Sequence, residues 1–177
     1  MSFTDADLIA RVLASGDQHA YGELVRRHQS PVRAFITRMT RGDTHLADDI
    51  AQETFVKAWL KLHTYRGGAR FSTWLFSIAY HECSRAARKR GSQTADEDQP
   101  RLEEPQTDTC THAEIDVSGA LNRINPAERA AIVLCCQNGL SHEEASQVLN
   151  CPPGTVKTNI LRGKEKLRKL LYDYRPA

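Results

Sequence analysis

The segment GSQTADEDQPRLEEPQTDTCTHA (91–113) constrains the chain more than any other. It holds two prolines, Pro100 and Pro105, one large aliphatic side chain, Leu102, and six acidic residues against one basic. Such a stretch buries too little apolar surface to offset the entropy of ordering it, and is predicted to be a flexible acidic linker. It divides the 177 residues into two units, 1–90 and 114–177, each small enough to need a well-formed core. The outer units are basic: Lys and Arg outnumber Asp and Glu by 14 to 9 before the linker and by 9 to 7 after it. A net charge of only +2 therefore hides two surfaces suited to a polyanion, with an acidic stretch between them.

Composition excludes several classes. With 40% hydrophobic and 26% charged residues the chain reads as globular rather than fibrous or disordered. No apolar run approaches the roughly 20 residues of a spanning helix. The opening MSFTDADLIARV is acidic where a targeting segment would be basic, so a cytoplasmic protein without membrane insertion is expected. Five cysteines (Cys83, Cys110, Cys135, Cys136, Cys151) form no CxxC pair, which predicts reduced thiols with no metal or cofactor.

No strand pattern stands out, and helical signals are frequent. Thr4 with Asp7 can cap a helix carrying Leu8, Ile9, Val12 and Leu13, closed by Gly16. A second stretch after Asp17 turns Tyr21, Leu24, Val25, Val32, Phe35, Ile36 and Met39 inward, with Pro31 expected to kink or interrupt it. A third runs over about 46–62 with Leu46, Ile50, Phe55, Trp59 and Leu62 at helical spacing. A fourth leads from about Ser72 into the basic cluster Arg85–Arg90. Past the linker, 114–124 is short and amphipathic. Asn125-Pro126-Ala127-Glu128 then supplies a cap, a first-turn proline and a capping-box acid before 129–137, which Asn138-Gly139 ends. The predicted fold is all-α: two small helical domains joined by the linker.

The last of these helices form a pair. Ser141 and Glu144 can close a capping box, Leu140 can staple against Ala145, and Ala145, Val148 and Leu149 point inward. Asn150-Cys151-Pro152 is a tight turn, Asn150 being suited to a left-handed conformation. A new helix starts at Pro153, with Val156, Ile160, Leu167 and Leu170 along one stripe. Thr155, Lys157, Thr158, Asn159 and Arg162 lie off that stripe, as short polar and cationic groups do on a helix that enters a major groove. This is a helix-turn-helix. Arg162 can read guanine, Asn159 adenine, and Lys157 a phosphate or guanine.

The first unit offers a different chemistry. Seven of the 12 aromatic residues fall between Phe55 and Tyr80, and Tyr65, Arg66, Arg70, Phe71, Ser72 and Trp74 surround a Gly67-Gly68 pair. Rings that stack on unpaired bases beside guanidinium groups suit single-stranded DNA, although Phe71, Trp74 and Phe76 also fit a helix core, Trp74 and Phe76 best. Tyr80, His81, Ser84, Arg85, Arg88, Lys89 and Arg90 continue as a basic face. By contrast, Asp49, Gln52 and Glu53 form an acidic patch that would repel DNA and suits a basic protein partner.

Three segments carry a family resemblance. Asp48-Asp49-Ile50-Ala51-Gln52-Glu53-Thr54-Phe55-Val56-Lys57-Ala58-Trp59 resembles region 2.2 of the extracytoplasmic-function (ECF) sigma factors of the sigma-70 family. The segment from Phe71 through Ala79 resembles their region 2.3 to 2.4 junction. Leu140–Ala145 and Pro152–Lys157 are similar to region 4.2. The resemblance implies a promoter-specificity subunit, not an enzyme, that binds core RNA polymerase. It implies polymerase docking through Asp48, Asp49, Gln52, Glu53 and Val56. Minus-ten DNA, duplex and then melted, would be held by Tyr65, Arg66, Arg70, Phe71, Ser72, Trp74, Tyr80, His81, Arg85, Arg88 and Lys89. Minus-thirty-five DNA would be read by Thr155, Lys157, Thr158, Asn159, Leu161 and Arg162. It further implies control by an anti-sigma factor and passage of the acidic linker through the RNA exit region. Tyr80-His81 stands where the family often has Arg-Asn, Asn159 where arginine is frequent, and Gly163 where alanine is usual. Two other classes compete: a dimeric duplex-DNA regulator, which would need neither the acidic patch nor the aromatic loop, and a nuclease, for which no HExxH or nucleophile-base motif is present.

Overall fold

Thr4 opens the first helix by reciprocal capping: its hydroxyl accepts from the Asp7 amide at 3.2 Å while the Asp7 carboxylate accepts from the Thr4 amide at 2.8 Å. The computed structural model describes the backbone of residues 3–93 and 112–172, and the side chains of 3–90 and 117–172. Most of the predicted linker, with Cys110, lies outside the described residues. The helices are α1 (Asp5–Ser15), α2 (Gln18–Met39), α3 (Thr44–Lys61), α4 (Phe71–Gln93), α5 (His112–Arg123), α6 (Pro126–Ile132), α7 (His142–Leu149) and α8 (Pro153–Tyr172). A 3-10 turn, Leu62–Thr64, follows α3, and no strand occurs among the described residues. The all-α expectation holds.

Local chemistry sets most boundaries. Asp17 accepts from the amides of His19 and Ala20, and Asp43 from that of Leu46, so α2 and α3 both start on an aspartate cap. α1 stops at Gly16, whose φ of 67° is left-handed. Leu8, Ile9 and Val12 are buried against α2, but Leu13, expected inward, is 49% exposed. A short helix with a single main neighbour has a narrow contact stripe, and Leu13 falls beyond its edge. α2 is not interrupted at Pro31. That proline lies on the solvent side, where the carbonyl it cannot bond can turn toward water.

The core of the first unit is layered from α2, α3 and α4. Phe35 and Phe76 meet edge to face with centroids 5.4 Å apart, surrounded by Leu24, Val32, Ile36, Leu62, Leu75 and Ala79. α3 buries Ala47, Ile50, Thr54 and Ala58, while Leu46, Phe55 and Trp59 are only partly buried. Small residues on its inner seam let it approach its neighbours closely. Tyr21 donates to the Phe55 carbonyl at 2.5 Å and packs edge-on to Trp59, and burial pushes its phenol up to about 12.

In the second unit Asn125 caps α6 by accepting from the Ala127 amide at 2.9 Å. Glu128 does not complete a capping box as expected. It turns inward at 6% exposure and accepts from Lys166 Nζ on α8 at 2.8 and 3.0 Å. The helix predicted over 129–137 also divides: after Ile132 the backbone widens into a π-turn, Val133–Gln137, with Asn138 N–H donating to the Val133 carbonyl. Asn138 and left-handed Gly139 end it.

Gly163 is explained by close packing of α8 on α6. A Cβ at this position would meet Ile132 Cδ1 at 2.6 Å and Glu128 Cβ at 3.2 Å. Alanine can be accommodated by a shift of the Ile132 side chain and regains helix propensity. A larger residue cannot: Gly163→Leu should destabilise by about 1–3 kcal/mol through overpacking. Chemical denaturation checks this, and an unchanged midpoint would contradict the packing.

The two units touch one another. One apolar cluster runs from Leu8 through Cys83 to Val156 and Ile160. Arg129, 1% exposed, donates to the carbonyls of Arg38 at 3.3 Å, Asn122 at 3.3 Å and Ile124 at 3.4 Å, reaching from α6 to the last turn of α2. A cation at that helix terminus offsets the negative end of the dipole. Its Nε is buried without a partner among the described residues, and burial lowers its pKa. Arg38 also bonds Ser118, and Asn122 donates to the Arg41 carbonyl.

Candidate nucleic-acid interface

Three surfaces carry the residues singled out in the sequence. The first is the outer side of α3. Asp48, Asp49 and Gln52 are exposed, Glu53 is half-exposed and Val56 is 47% exposed. Asp48 is not free: Arg33 on α2 approaches it at 2.5 and 3.1 Å and holds its carboxyl below the usual range. Leu60, 63% exposed, extends the same face by one turn and was missed by the sequence reading. Its spacing from Asp49, Gln52, Glu53 and Val56 (i, i+3, i+4, i+7, i+11) was the available signal. An acidic strip edged with exposed aliphatic groups suits a protein partner rather than DNA.

The second surface is the loop of residues 65–70 with α4. Tyr65, Phe71 and Trp74 form one aromatic group with centroids 5.5 to 5.7 Å apart, and His28, hydrogen-bonded to Asp5, lies edge-on to Phe71. Tyr65 donates to the Ala69 carbonyl at 2.7 Å, which closes the loop on itself. Phe71 is only 4% exposed, so here it supports the loop from beneath rather than offering its ring to a base. Ser72 and Trp74 are half-buried, and Arg66 and Arg70 are exposed. A cleft of about 210 Å³ is lined by Tyr65, Arg66, Gly68, Trp74 and Ser77, together with Gln147 of α7. Aromatic, cationic and amide groups around one cleft match the chemistry that holds an unstacked base.

Further along α4, His81, Arg85, Arg88 and Lys89 are exposed as a basic face, while Tyr80 is half-buried and desolvation raises its pKa. Cys83 points inward, and burial pushes its thiol up to about 12, which keeps it protonated and inert.

The third surface is α8 of the helix-turn-helix. Ser141 accepts from the Glu144 amide at 3.1 Å and Glu144 from the Ser141 amide at 2.9 Å, the expected box. Asn150 takes φ 50° in the turn. Val156 and Ile160 then anchor α8, leaving Thr155, Lys157, Thr158, Arg162 and the 71%-exposed Leu161 outward, with Asn159 half-buried. Thr158 returns its hydroxyl to the Gly154 carbonyl at 2.9 Å.

The second and third surfaces meet. Glu144 Oε1 lies 3.3 Å from both Arg70 Nε and Thr73 Oγ1, so the residue that caps α7 also ties it to the start of α4. The Ser141 amide and then Arg70 lower its pKa.

Comparison with known proteins follows this division. Residues 24–93 match the family model described as Sigma-70 region 2, and residues 114–167 match Sigma-70, region 4. The chain is 34% identical to the ECF RNA polymerase sigma factor SigE of Mycolicibacterium smegmatis, over 96% of this chain and 73% of that one. It is 33% identical to the ECF RNA polymerase sigma-E factor of Haemophilus influenzae, over 93% of both chains. Among solved structures it resembles the sigma factor RpoE of Bartonella quintana, crystallised with the anti-sigma factor NepR. That match has a TM-score of 0.79 at 28% identity and covers 88% of this chain and 98% of that one. It also resembles CnrH, solved with the cytosolic domain of CnrY, with a TM-score of 0.70 at 28% identity over 96% and 97% of the two chains.

Proposed function

Because this chain belongs to the extracytoplasmic-function sigma factors of the sigma-70 family, we propose that its three surfaces divide promoter recognition among them. The acidic strip of α3, with Asp48, Asp49, Gln52, Glu53, Val56 and Leu60, docks on core RNA polymerase. The 65–72 loop and the basic face of α4 hold the minus-ten element as it melts, and the outer side of α8 reads the minus-thirty-five element in the major groove. The protein works in the cytoplasm and performs no catalysis itself. Residues 1–90 and 114–177 act as the two functional units, with the acidic segment between them passing through the core's RNA exit region. The observation that carries the reading is the strip on α3: acidic and exposed, on a protein whose other two surfaces are basic. A self-sufficient duplex-DNA regulator has no use for it, and a nuclease would need a reactive centre instead.

The described arrangement also sets a mechanical condition. α4 packs on α7, and α7 on α8, so the two DNA-reading helices lie within roughly 20 Å at ordinary helix-packing distances. Elements about 25 base pairs apart are separated by about 85 Å of duplex at 3.4 Å per pair. The Arg70/Thr73–Glu144 contact must therefore open on a promoter. The packed form, in which Gln147 and Trp74 line one cleft, is the one an anti-sigma factor would hold, as the two solved relatives are in complex with protein partners.

Reconstitution tests both points. Purified chain with core polymerase should produce permanganate-reactive thymines at the minus-ten element of a cognate template. Fluorophores on α3 and α8 should separate in that complex. A chain that binds core yet never opens DNA on any template would remove the proposal.

A further inference from the structure

Glu82 is a buried acid on the helix assigned to DNA. It lies on the inner side of α4 at 6% exposure, one helical turn before Arg85. Buried carboxylates persist only when paired, and this one has two cations. Lys57 Nζ of α3 is 2.7 Å from Oε1, and Arg85 Nε is 3.2 Å from Oε2. Lys57 also reaches Glu53 of the docking strip at 3.1 Å, and its hydrogen bond to Glu82 raises its pKa. Four alternating charges, Glu53, Lys57, Glu82 and Arg85, thus cross from the outer face of α3 to the basic face of α4.

We infer that Glu82, itself held by Lys57, is a positioning residue that orients Arg85 toward the minus-ten strand. The inference rests on the functional reading above and adds two residues to it. An arginine bound through Nε keeps the four N–H donors of its terminal nitrogens for a phosphate or a base edge. The Arg85 side chain is 64% exposed, so its outer end is open to a ligand while its inner edge is fastened. A fastened guanidinium has less rotamer freedom to lose on binding than a free one. The competing effect is simple repulsion: a carboxylate close to DNA weakens binding, and its removal would then strengthen it. Full pairing of both oxygens and burial behind Arg85 favour orientation over repulsion.

The test uses holoenzyme assembled from full-length variants and a fluorescent single-stranded minus-ten oligonucleotide, in a double-mutant cycle. Arg85→Ala should weaken binding about 10-fold, as loss of one charge-assisted contact does. Glu82→Gln should weaken it by a smaller factor, about three- to fivefold, with core affinity unchanged. In the Glu82→Gln background, Arg85→Ala should cost clearly less than in the wild type, since an untethered arginine contributes less. A purely architectural Glu82 would give factors that multiply. The pair Glu82→Gln with Lys57→Met leaves no uncompensated buried charge and should reproduce the Glu82→Gln loss in a well-folded protein. Multiplying factors, tighter binding by Glu82→Gln, or full recovery in the paired variant would each overturn the inference. No effect of Arg85→Ala would overturn it through Arg85 itself. Failure of the wild-type holoenzyme to bind the oligonucleotide would instead count against the functional reading.

Discussion

Replacing Asp49 and Glu53 together by lysine should abolish assembly with core RNA polymerase while the chain still binds a minus-thirty-five duplex. Both side chains lie on the outer face of α3, so reversal costs little in the fold itself. The Glu53→Lys change sets a like charge beside Lys57 at i+4, worth only a few tenths of a kcal/mol at an exposed helix position. At an interface the arithmetic differs. Like charges brought together against a basic partner cost several kcal/mol, or about 100-fold or more in affinity. Competition against a labelled wild-type chain for core would measure the loss, and a melting curve would confirm the fold. Val56 and Leu60 supply the apolar part of the same face, so Leu60→Asp should act in the same direction. Equal loss of core and duplex binding would mean that the variant had unfolded or that α3 also faces DNA.

Arg162→Ala should cost about 1–3 kcal/mol at one base position of the minus-thirty-five element, a discrimination of about 5- to 150-fold. The expectation follows from its place. Val156 and Ile160 are buried and set the rotation of α8, which aims Arg162 and Leu161 outward. A forked donor in a major groove pairs bidentately with guanine, and an alanine there leaves both acceptors unmet. Binding to a set of duplexes mutated one position at a time would show the penalty concentrated at one pair. A uniform loss across all of them, with a shallower salt dependence, would make Arg162 a phosphate contact.

Caps and stripes were legible because both ends of each interaction lie within one helical turn. The Thr4/Asp7 and Ser141/Glu144 boxes, the Asn125 cap and left-handed Asn150 are read from three or four consecutive residues. The acidic strip was legible for the same reason, since Asp49, Gln52 and Glu53 share a face by spacing alone. Glu128 fitted the same local rule and broke it, because Lys166 offers its carboxylate a partner from a helix 38 residues away. Phe71 had an aromatic-and-basic context that suits DNA, and its burial depends on where His28, Tyr65 and Trp74 come to rest.

Helix content, turn positions and the charge of each face follow from periodicity and from side chains bonding their own backbone, forces that act over four residues and need no knowledge of the rest. What tertiary structure alone decided is which charges drawn out of water find partners: buried Glu82 with Lys57, part-buried Glu144 with Arg70, and buried Arg129 with the Arg38 carbonyl near the end of α2. Each joins residues 25 to 91 positions apart. A charge leaves water only where packing has already placed its counterpart, and the local sequence carries no mark of that distant group.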